Sequence, residues 1–253
     1  MIDPHQLRCP ACQSDSRLLD VVDFNKSCEE LRGRFLEQSG RPVYYAICGN
    51  CDFCHAPELY TWPLEEFERQ IYNAGYVDVD PDYADARPRG NAAMLIGTFG
   101  SQARSIRHLD YGGGDGLLSK LMGEAGFASR SHDPFVNKDV ALDALGQFDL
   151  VSAMEVFEHV PDVHALMRNL QSLLRPDGLV LFTTLVSDGN IVRNQRLNWW
   201  YAAPRNGHIS LFSRRSLALL AAAYGYQFAS VNAGVHFLWR AVPPWARHLF
   251  KEA

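Results

Sequence analysis

One glycine-rich octet, residues 109–116, constrains the fold of this chain more than any other stretch. It reads Leu-Asp-Tyr-Gly-Gly-Gly-Asp-Gly, so Asp110 precedes glycines at Gly112, Gly114 and Gly116. The residues before it have strand character, and those after it have helical character. Glycine accepts positive φ and lets a ligand approach the backbone, and the first N–H groups of a helix face that ligand. The octet therefore predicts a strand–turn–helix cradle for a small ligand.

The spacing of the glycines shows whether the octet matches a dinucleotide-binding fingerprint. A dinucleotide fingerprint Gly-x-Gly-x-x-Gly that begins at Gly112 needs a further glycine at position 117, where this chain has Leu117. The chain instead has an acidic residue followed by three glycines at alternate positions. A glycine-rich turn that binds nothing is the structural alternative.

Strands and helices continue to alternate after the octet. Residues 91–99, before the octet, are a predicted helix. After the octet a short strand is predicted to run to residues 132–134, residues 147–154 form another strand, residues 163–174 a helix that Arg175-Pro-Asp-Gly178 ends, and residues 179–184 a further strand. Ligands of open α/β sheets bind outside the carboxyl ends of the strands. We therefore expect one crevice to contain Asp110, Gly112, Asp133, Met154 and Glu155.

The octet resembles motif I of the class I S-adenosylmethionine-dependent methyltransferases, and residues 147–184 resemble the later motifs of that family. The likeness is to the ubiquinone-biosynthesis type and to sugar C-methyltransferases. It implies an α/β fold: a Rossmann-like, seven-stranded sheet with helices on both faces. It also implies S-adenosylmethionine as cofactor, with Asp133 accepting hydrogen bonds from the ribose. The cofactor-binding residues implied are Asp110, Gly112, Gly114, Gly116, Asp133, Met154 and Glu155.

One segment departs from the family pattern. Only 14 residues separate Asp133 from Phe148, which is too few for a full helix, strand and loop. The usual third strand and its adenine contact are therefore predicted to be shortened or missing.

Four of the six cysteines form two Cys-x-x-Cys pairs, Cys9 with Cys12 and Cys48 with Cys51. Two such turns supply four thiolates to one tetrahedral site, which predicts a structural zinc ribbon with no open catalytic position. A disulfide framework and a thioredoxin-like redox pair are the alternatives. Cys28 and Cys54 are left over, and Cys54 is expected to be a buried thiol.

The predicted domain organisation has three parts. Residues 1–60 form the zinc-ribbon-like module, residues 61–90 a helical and acidic linker or lid, and residues 91–253 the methyltransferase-like domain.

Candidate catalytic residues come from two later segments. Glu158 and His159 follow the predicted strand 147–154, and Tyr201 and His208 lie in the long connection 186–212. A histidine with a pKa near neutrality can take a proton from an acceptor. The stretch Gly-His-Ile-x-x-Phe-Ser that contains His208 also occurs in the resembling family, which makes His208 the first candidate. Histidines that only cap helices or pack in the core are the alternative.

Composition limits the partners of the protein. The net charge is −5 and the pI is about 6.0, which argues against a nucleic-acid substrate. No apolar run reaches 18 residues, so no membrane span is predicted, and a cytoplasmic location is the default. The oligomeric state does not follow from the sequence.

The predicted function is methyl transfer from S-adenosylmethionine to a small-molecule acceptor, sugar-like or natural-product-like. Two alternatives remain open. One is an RNA methyltransferase that uses the ribbon to hold RNA, and the other is a non-catalytic zinc-ribbon adaptor with a cofactor-binding domain.

Overall fold

Strands and helices alternate through residues 7–250, the part of the chain that the computed structural model describes. The strands are β1 (Ser16–Asp23), β2 (Pro42–Cys48), β3 (Cys54–His55), β4 (Arg107–Tyr111), β5 (Ala128–His132), β6 (Phe148–Met154), β7 (Leu174–Thr183), β8 (Ser210–Leu211), β9 (Gln227–Ser230) and β10 (Val235–Trp239). The helices are α1 (Leu64–Gln70), α2 (Tyr76–Val79), α3 (Ala86–Phe99), α4 (Leu117–Glu124), α5 (Val163–Leu173) and α6 (Arg214–Ala223).

The chain divides into two units, neither of which is continuous in sequence. The first unit contains the N-terminal residues up to Pro81, Phe157–His164 and Thr184–Leu220. The second unit contains Asp82–Val156, Ala165–Thr183 and the residues from Ala221 onward. The boundaries predicted at residues 60 and 90 remain predictions.

The second unit is built on a mixed sheet with the strand order β5-β4-β6-β7-β10-β9. Strands β5, β4, β6 and β7 are parallel, and β10 runs antiparallel to both β7 and β9. The chain passes from β4 through α4 to β5 on one side, and then to β6 on the other side of β4. This reversal creates a crevice at the carboxyl ends of β4 and β6, where ligands of open α/β sheets bind.

The α/β class is as predicted, with one difference in the number of strands. The second unit's sheet has six strands within the described residues, whereas seven were expected. The shortened segment accounts for this, because residues 134–147 contain only a short 3₁₀ turn, Leu142–Leu145, between β5 and β6.

Two element boundaries differ from the prediction. Helix α3 begins at Ala86 instead of near Asn91, because Pro88 occupies its first turn, where no N–H needs an intrahelical partner. Strand β7 begins at Leu174, so the Pro-Asp-Gly segment lies inside the strand at a register irregularity. A Cβ on Gly178 would lie 3.0 Å from the Asp149 carbonyl oxygen, so this close approach favours glycine.

The core of the second unit packs α3 and α4 against the sheet. Leu95 and Phe99 of α3 and Met122 of α4 are fully buried. They cluster with Leu150, Leu179, Leu181, Phe237 and Trp239 from the strands. This packing holds the N-terminus of α4 against the end of β4.

The first unit has a four-stranded sheet of its own, in the order β1-β2-β3-β8. β1 and β2 form an antiparallel hairpin between the two cysteine pairs. Cys54 pairs with Leu211 and His55 with Ser210, so a segment 155 residues further along the chain completes the sheet. This pairing places the residues around His208 beside the ribbon.

No helix within residues 7–250 has the length and apolar character that a membrane span requires.

Candidate functional site

The glycine octet forms a tight turn between β4 and α4 in the second unit. Gly112, Gly114 and Gly116 all have positive φ, at 75°, 51° and 80°. The Gly112 N–H donates to the carbonyl oxygen of His132 across 2.8 Å, which ties the turn to β5. A Cβ on Gly113 would lie 2.4 Å from both Asp110 Oδ2 and Ser131 Oγ, so only glycine fits there.

Asp110 lies at the end of β4 with only 2% of its surface exposed. Its carboxylate accepts a hydrogen bond from the Ser152 hydroxyl at 2.9 Å. Burial raises the pKa of Asp110 to about 7, against the lowering effect of that hydrogen bond. The buried ring of His108, whose pKa burial lowers to about 3, lies 2.9 Å from the same serine oxygen.

Asp133 follows β5 and holds the turn from the neighbouring strand. Its Oδ2 accepts the N–H of Gly114 at 3.0 Å, and its Oδ1 accepts the N–H of Phe135 at 2.8 Å. The second predicted carboxylate is thus hydrogen-bonded to the glycine turn itself. Asp110 and Asp133 act on each other electrostatically, because the charge of Asp133 contributes to raising the pKa of Asp110.

The other edge of the crevice is the end of β6. Met154 is its last residue, and Glu155 follows with a φ of 54°, which is unusual for a residue other than glycine. The Glu155 N–H donates to the Thr183 hydroxyl at 2.9 Å, which supports this strained backbone. All seven predicted cofactor-binding residues therefore belong to the second unit.

These residues fit S-adenosylmethionine, whose tail carries an ammonium group beside a sulfonium. Asp110 and Asp133 supply negative charge near the turn. A Cβ on Gly114 would meet nothing within 4 Å, so the turn borders open space. The buried Ser131 hydroxyl has no hydrogen-bond partner among residues 7–250, which leaves one polar group for a ligand to satisfy.

The four cysteines of the two pairs converge in the first unit. Sγ of Cys9 lies 3.6 Å from Sγ of Cys51, and Sγ of Cys12 lies 3.5 Å from that of Cys48. All four sulfur atoms lie within 4.8 Å of one another. Bonds of about 2.3 Å in a zinc tetrathiolate place the sulfur atoms about 3.8 Å apart, so the group fits zinc. Cys54 is buried outside the group, as expected.

Neighbouring groups hold this cysteine cluster in shape. The N–H groups of Asn50 and Cys51 donate to Cys48 Sγ at 3.3 and 3.4 Å. Arg193 donates to the carbonyl oxygens of Cys48 and Gly49 and pairs with Asp52. Such contacts to sulfur and to the backbone of the knuckle orient metal ligands.

The four predicted catalytic residues also meet in the first unit. The Tyr201 hydroxyl donates to Glu158 Oε1, and the rings of Tyr201 and His208 have centroids 4.1 Å apart. The rings of His159 and His208 lie 4.9 Å apart, nearly edge to face. Glu158 is fully buried and His208 nearly so, while His159 is half-buried.

Main-chain contacts bring these distant segments together. The Ile209 N–H donates to the Glu158 carbonyl oxygen at 2.9 Å, and the Tyr45 hydroxyl donates to the His208 carbonyl oxygen at 2.7 Å. A Cβ on Gly207, whose φ is 88°, would lie 2.6 Å from the Tyr72 hydroxyl and 3.1 Å from His159 Nδ1. Glycine is therefore required at position 207.

Sequence reasoning missed two members of these sites. Tyr72, whose hydroxyl lies 3.0 Å from His159 Nδ1, was not among the predicted site residues. Ser152, the partner of Asp110, is one residue of a predicted buried strand. A polar residue in such a strand was the available signal, because buried hydroxyls need partners.

Comparisons with known proteins identify a family for this chain. Residues 83–231 match the family model described as "Methyltransferase domain". The chain is 32% identical over 102 residues to a ubiquinone biosynthesis O-methyltransferase of Bordetella avium, covering 31% of this chain and 42% of that protein. It is 33% identical over 107 residues to the protein of the same name from Neisseria meningitidis serogroup C, covering 32% and 45%. These matches span less than half the length of either relative.

Solved structures were also compared with this fold. The 1,6-didemethyltoxoflavin-N1-methyltransferase of Burkholderia thailandensis, solved with S-adenosylhomocysteine bound, aligns with a TM-score of 0.48 and 19% identity. The alignment covers 81% of this chain and 95% of that chain.

Proposed function

This chain belongs to the methyltransferase family whose domain model its residues 83–231 match, and from that premise we propose that it transfers a methyl group from S-adenosylmethionine to a small-molecule acceptor. The observation that carries the proposal is the crevice at the carboxyl ends of β4 and β6. There the glycine turn and two interacting carboxylates, Asp110 and Asp133, suit a small cationic ligand.

The cofactor would be held by the residues that the turn brings together. The open face of Gly114 leaves room for the ligand beside the backbone, and Ser131 offers an unused hydroxyl. Asp133 keeps lone pairs for ribose hydroxyls beyond its two backbone bonds. When bound, S-adenosylmethionine supplies an electrophilic methyl group on a positively charged sulfur.

The acceptor would be handled by Glu158, His159, Tyr201 and His208. Nδ1 of His208 lies 2.8 Å from the carbonyl oxygen of Tyr201, which only accepts, so that ring carries its proton on Nδ1 and a lone pair on Nε2. A lone pair of this kind can take a proton from an acceptor hydroxyl. Tyr201 orients the Glu158 carboxylate through its hydroxyl. Glu155, at the predicted cofactor edge, and Glu158 are only three residues apart in the sequence.

We propose a sugar-like or natural-product-like acceptor with an ionisable hydroxyl. The curated relatives are named as O-methyltransferases, which supports an oxygen as the atom that is methylated. Buried aromatic side chains at Trp199 and Tyr201 next to hydrogen-bonding groups suit a small cyclic molecule.

The first experiment is calorimetric titration of the zinc-replete protein with S-adenosylmethionine and, separately, with NAD. We expect micromolar binding of S-adenosylmethionine and no binding of NAD. Transfer of a labelled methyl group to a panel of sugar and phenolic acceptors then tests the reaction. Failure to bind S-adenosylmethionine would refute the proposal. Binding without transfer to any acceptor would favour the non-catalytic adaptor.

A further inference from the structure

A second group of metal-binding side-chain types lies in the first unit, besides the four cysteines. One donor atom each from Glu158, His159 and His208 lies within 4.8 Å of the other two. The three residues come from two distant segments, which the hydrogen bond from Ile209 N–H to the Glu158 carbonyl oxygen holds together.

Backbone carbonyl oxygens contact the rings of both histidines and position them. His208 Nδ1 lies 2.8 Å from the Tyr201 carbonyl oxygen, and His159 Nδ1 lies 3.2 Å from the Gly207 carbonyl oxygen. His159 Nδ1 also lies 3.0 Å from the Tyr72 hydroxyl, which can either donate to it or accept from it. A carbonyl oxygen only accepts, so His208 carries a proton on Nδ1. Metal-binding histidines show this arrangement, in which a backbone carbonyl fixes the tautomer through the other nitrogen.

The carboxylate has the corresponding support. The Tyr201 hydroxyl donates to Glu158 Oε1, and carboxylates that bind metals are usually hydrogen-bonded in this way. Tyr201 therefore orients both Glu158, through its hydroxyl, and His208, through its carbonyl oxygen. Each of the three side chains is thus held in place by a neighbouring group.

We propose that Glu158, His159 and His208 bind one divalent transition-metal ion through a carboxylate oxygen and one ring nitrogen of each histidine. Two imidazoles and one carboxylate suit iron, manganese, cobalt or zinc, and leave coordination positions open for a further ligand. The three donor atoms lie within 4.8 Å of one another. Bonds of about 2.0 to 2.2 Å to one ion require shorter distances between the donor atoms, which rotation of the side chains can provide.

The open positions give the ion a role with the acceptor. Binding to the ion would lower the pKa of an acceptor hydroxyl, so the bound hydroxyl would lose its proton to water at a lower pH than the free hydroxyl does. The deprotonated oxygen would then be ready for methylation. This role depends on the proposed function, whereas the binding of the ion does not. With the ion bound, His208 would act on the acceptor hydroxyl through the ion, in place of taking its proton directly as in the proposed function.

The test uses the full-length protein with one zinc ion per chain, at the cysteine cluster, and without S-adenosylmethionine. Mn²⁺ is the probe, because it prefers oxygen and nitrogen ligands and does not displace zinc from four thiolates. Its electron paramagnetic resonance signal reports the free ion. We expect one Mn²⁺ per chain, with binding weakened at least tenfold in Glu158→Gln and in His159→Ala. The matched control is His248→Ala, an exposed histidine in the second unit, which should bind Mn²⁺ as the unchanged protein does.

His159 is half-buried, so His159→Ala should fold even if substitution of the buried Glu158 disrupts the unit. Circular dichroism and zinc content verify folding. No Mn²⁺ binding at millimolar concentration, or undiminished binding in the folded His159→Ala variant, would overturn the metal site. S-adenosylmethionine binding, measured on the same samples, separates the two proposals. Cofactor binding without Mn²⁺ binding removes the metal site alone, and Mn²⁺ binding without cofactor binding removes the methyltransferase function alone.

Discussion

Ser152 donates its hydroxyl proton to the buried carboxylate of Asp110, and this bond links β6 to β4 at the base of the glycine turn. The hydrogen bond only partly offsets the cost of removing a carboxylate from water, because burial still raises the pKa of Asp110 to about 7. A cationic ligand in the crevice would stabilise the ionised form. Asp110 therefore couples the stability of the second unit to pH.

The first prediction concerns Asp110→Asn in the protein without cofactor. The pKa of Asp110 is about 7 in the folded protein and 3.8 in the unfolded chain. The contribution of Asp110 to the unfolding free energy of the wild type is therefore fully present below pH 3.8 and is lost as the pH rises to about 7. Asparagine does not ionise. We expect the variant to gain up to about 4 kcal/mol in unfolding free energy relative to wild type at pH 8, and little at pH 4. Urea denaturation of both proteins from pH 4 to 8 measures the difference.

The same variant should bind S-adenosylmethionine more weakly than wild type at pH 8, because it lacks the negative charge. Calorimetry provides this second readout. A stability difference that does not change with pH would argue against a raised pKa of Asp110.

The second prediction distinguishes the ligand-facing glycine from a structural one. Ala at position 114 meets no protein atom within 4 Å, so Gly114→Ala should cost only about 1 to 2 kcal/mol from its positive φ. Its methyl group enters the space assigned to the cofactor, so affinity for S-adenosylmethionine should fall at least tenfold. The control is Gly123→Ala in α4, which also meets nothing within 4 Å and should keep full affinity. Equal affinities of the two variants would place the cofactor elsewhere.

The third prediction concerns the cysteine cluster. Cys48→Ser should lose the metal, so zinc measured by mass spectrometry should fall from about one ion per chain to none. Zinc binding is folding free energy in small ribbons, so the unfolding free energy should fall by at least about 3 kcal/mol. Cys54→Ala, a buried thiol outside the cluster, should retain the zinc and lose about 1 kcal/mol. Retention of zinc by Cys48→Ser would rule out the four-thiolate site.

The fourth prediction addresses the orientation of Glu158. Tyr201→Phe removes the hydroxyl that donates to the carboxylate but keeps the ring that packs on His208. We expect kcat to fall about 10- to 100-fold with a change in KM of less than about threefold, because the side chain orients other groups. Tyr44→Phe, on an exposed position of β2, is the control. A loss of Tm in Tyr201→Phe without any change in kcat would assign Tyr201 a structural role alone.

Local sequence patterns predicted most of the second unit. The glycine octet gave the turn between β4 and α4, and apolar spacing gave α5, whose Leu166, Leu170 and Leu173 are buried as expected. Both signals are local, because glycine geometry and helical periodicity act over a few residues. The start of β7 was missed, since Pro176 and Gly178 are turn residues that here lie in a strand irregularity.

The first unit was predictable only in part. Two Cys-x-x-Cys pairs predicted the ribbon, because the metal requires four ligands in one place. The pairing of β3 with β8 was not predictable, since two-residue strands have no periodicity and their contacts join residues 155 and 157 positions apart. For the same reason, the sequence predicted Glu158 and His208 only as separate candidates. It did not predict the hydrogen bond between Ile209 and Glu158 that brings their segments together.

The pairing of β3 with β8 has a consequence for how this protein can be divided. Cys54 and His55 share backbone hydrogen bonds with the segment that follows His208, so the ribbon and that segment depend on each other for a completed sheet edge. A chain cut after residue 60 would leave each fragment with an unpaired strand. The ribbon therefore cannot be exchanged between proteins as a separate N-terminal segment. Any transplant must carry residues 207–213 with it.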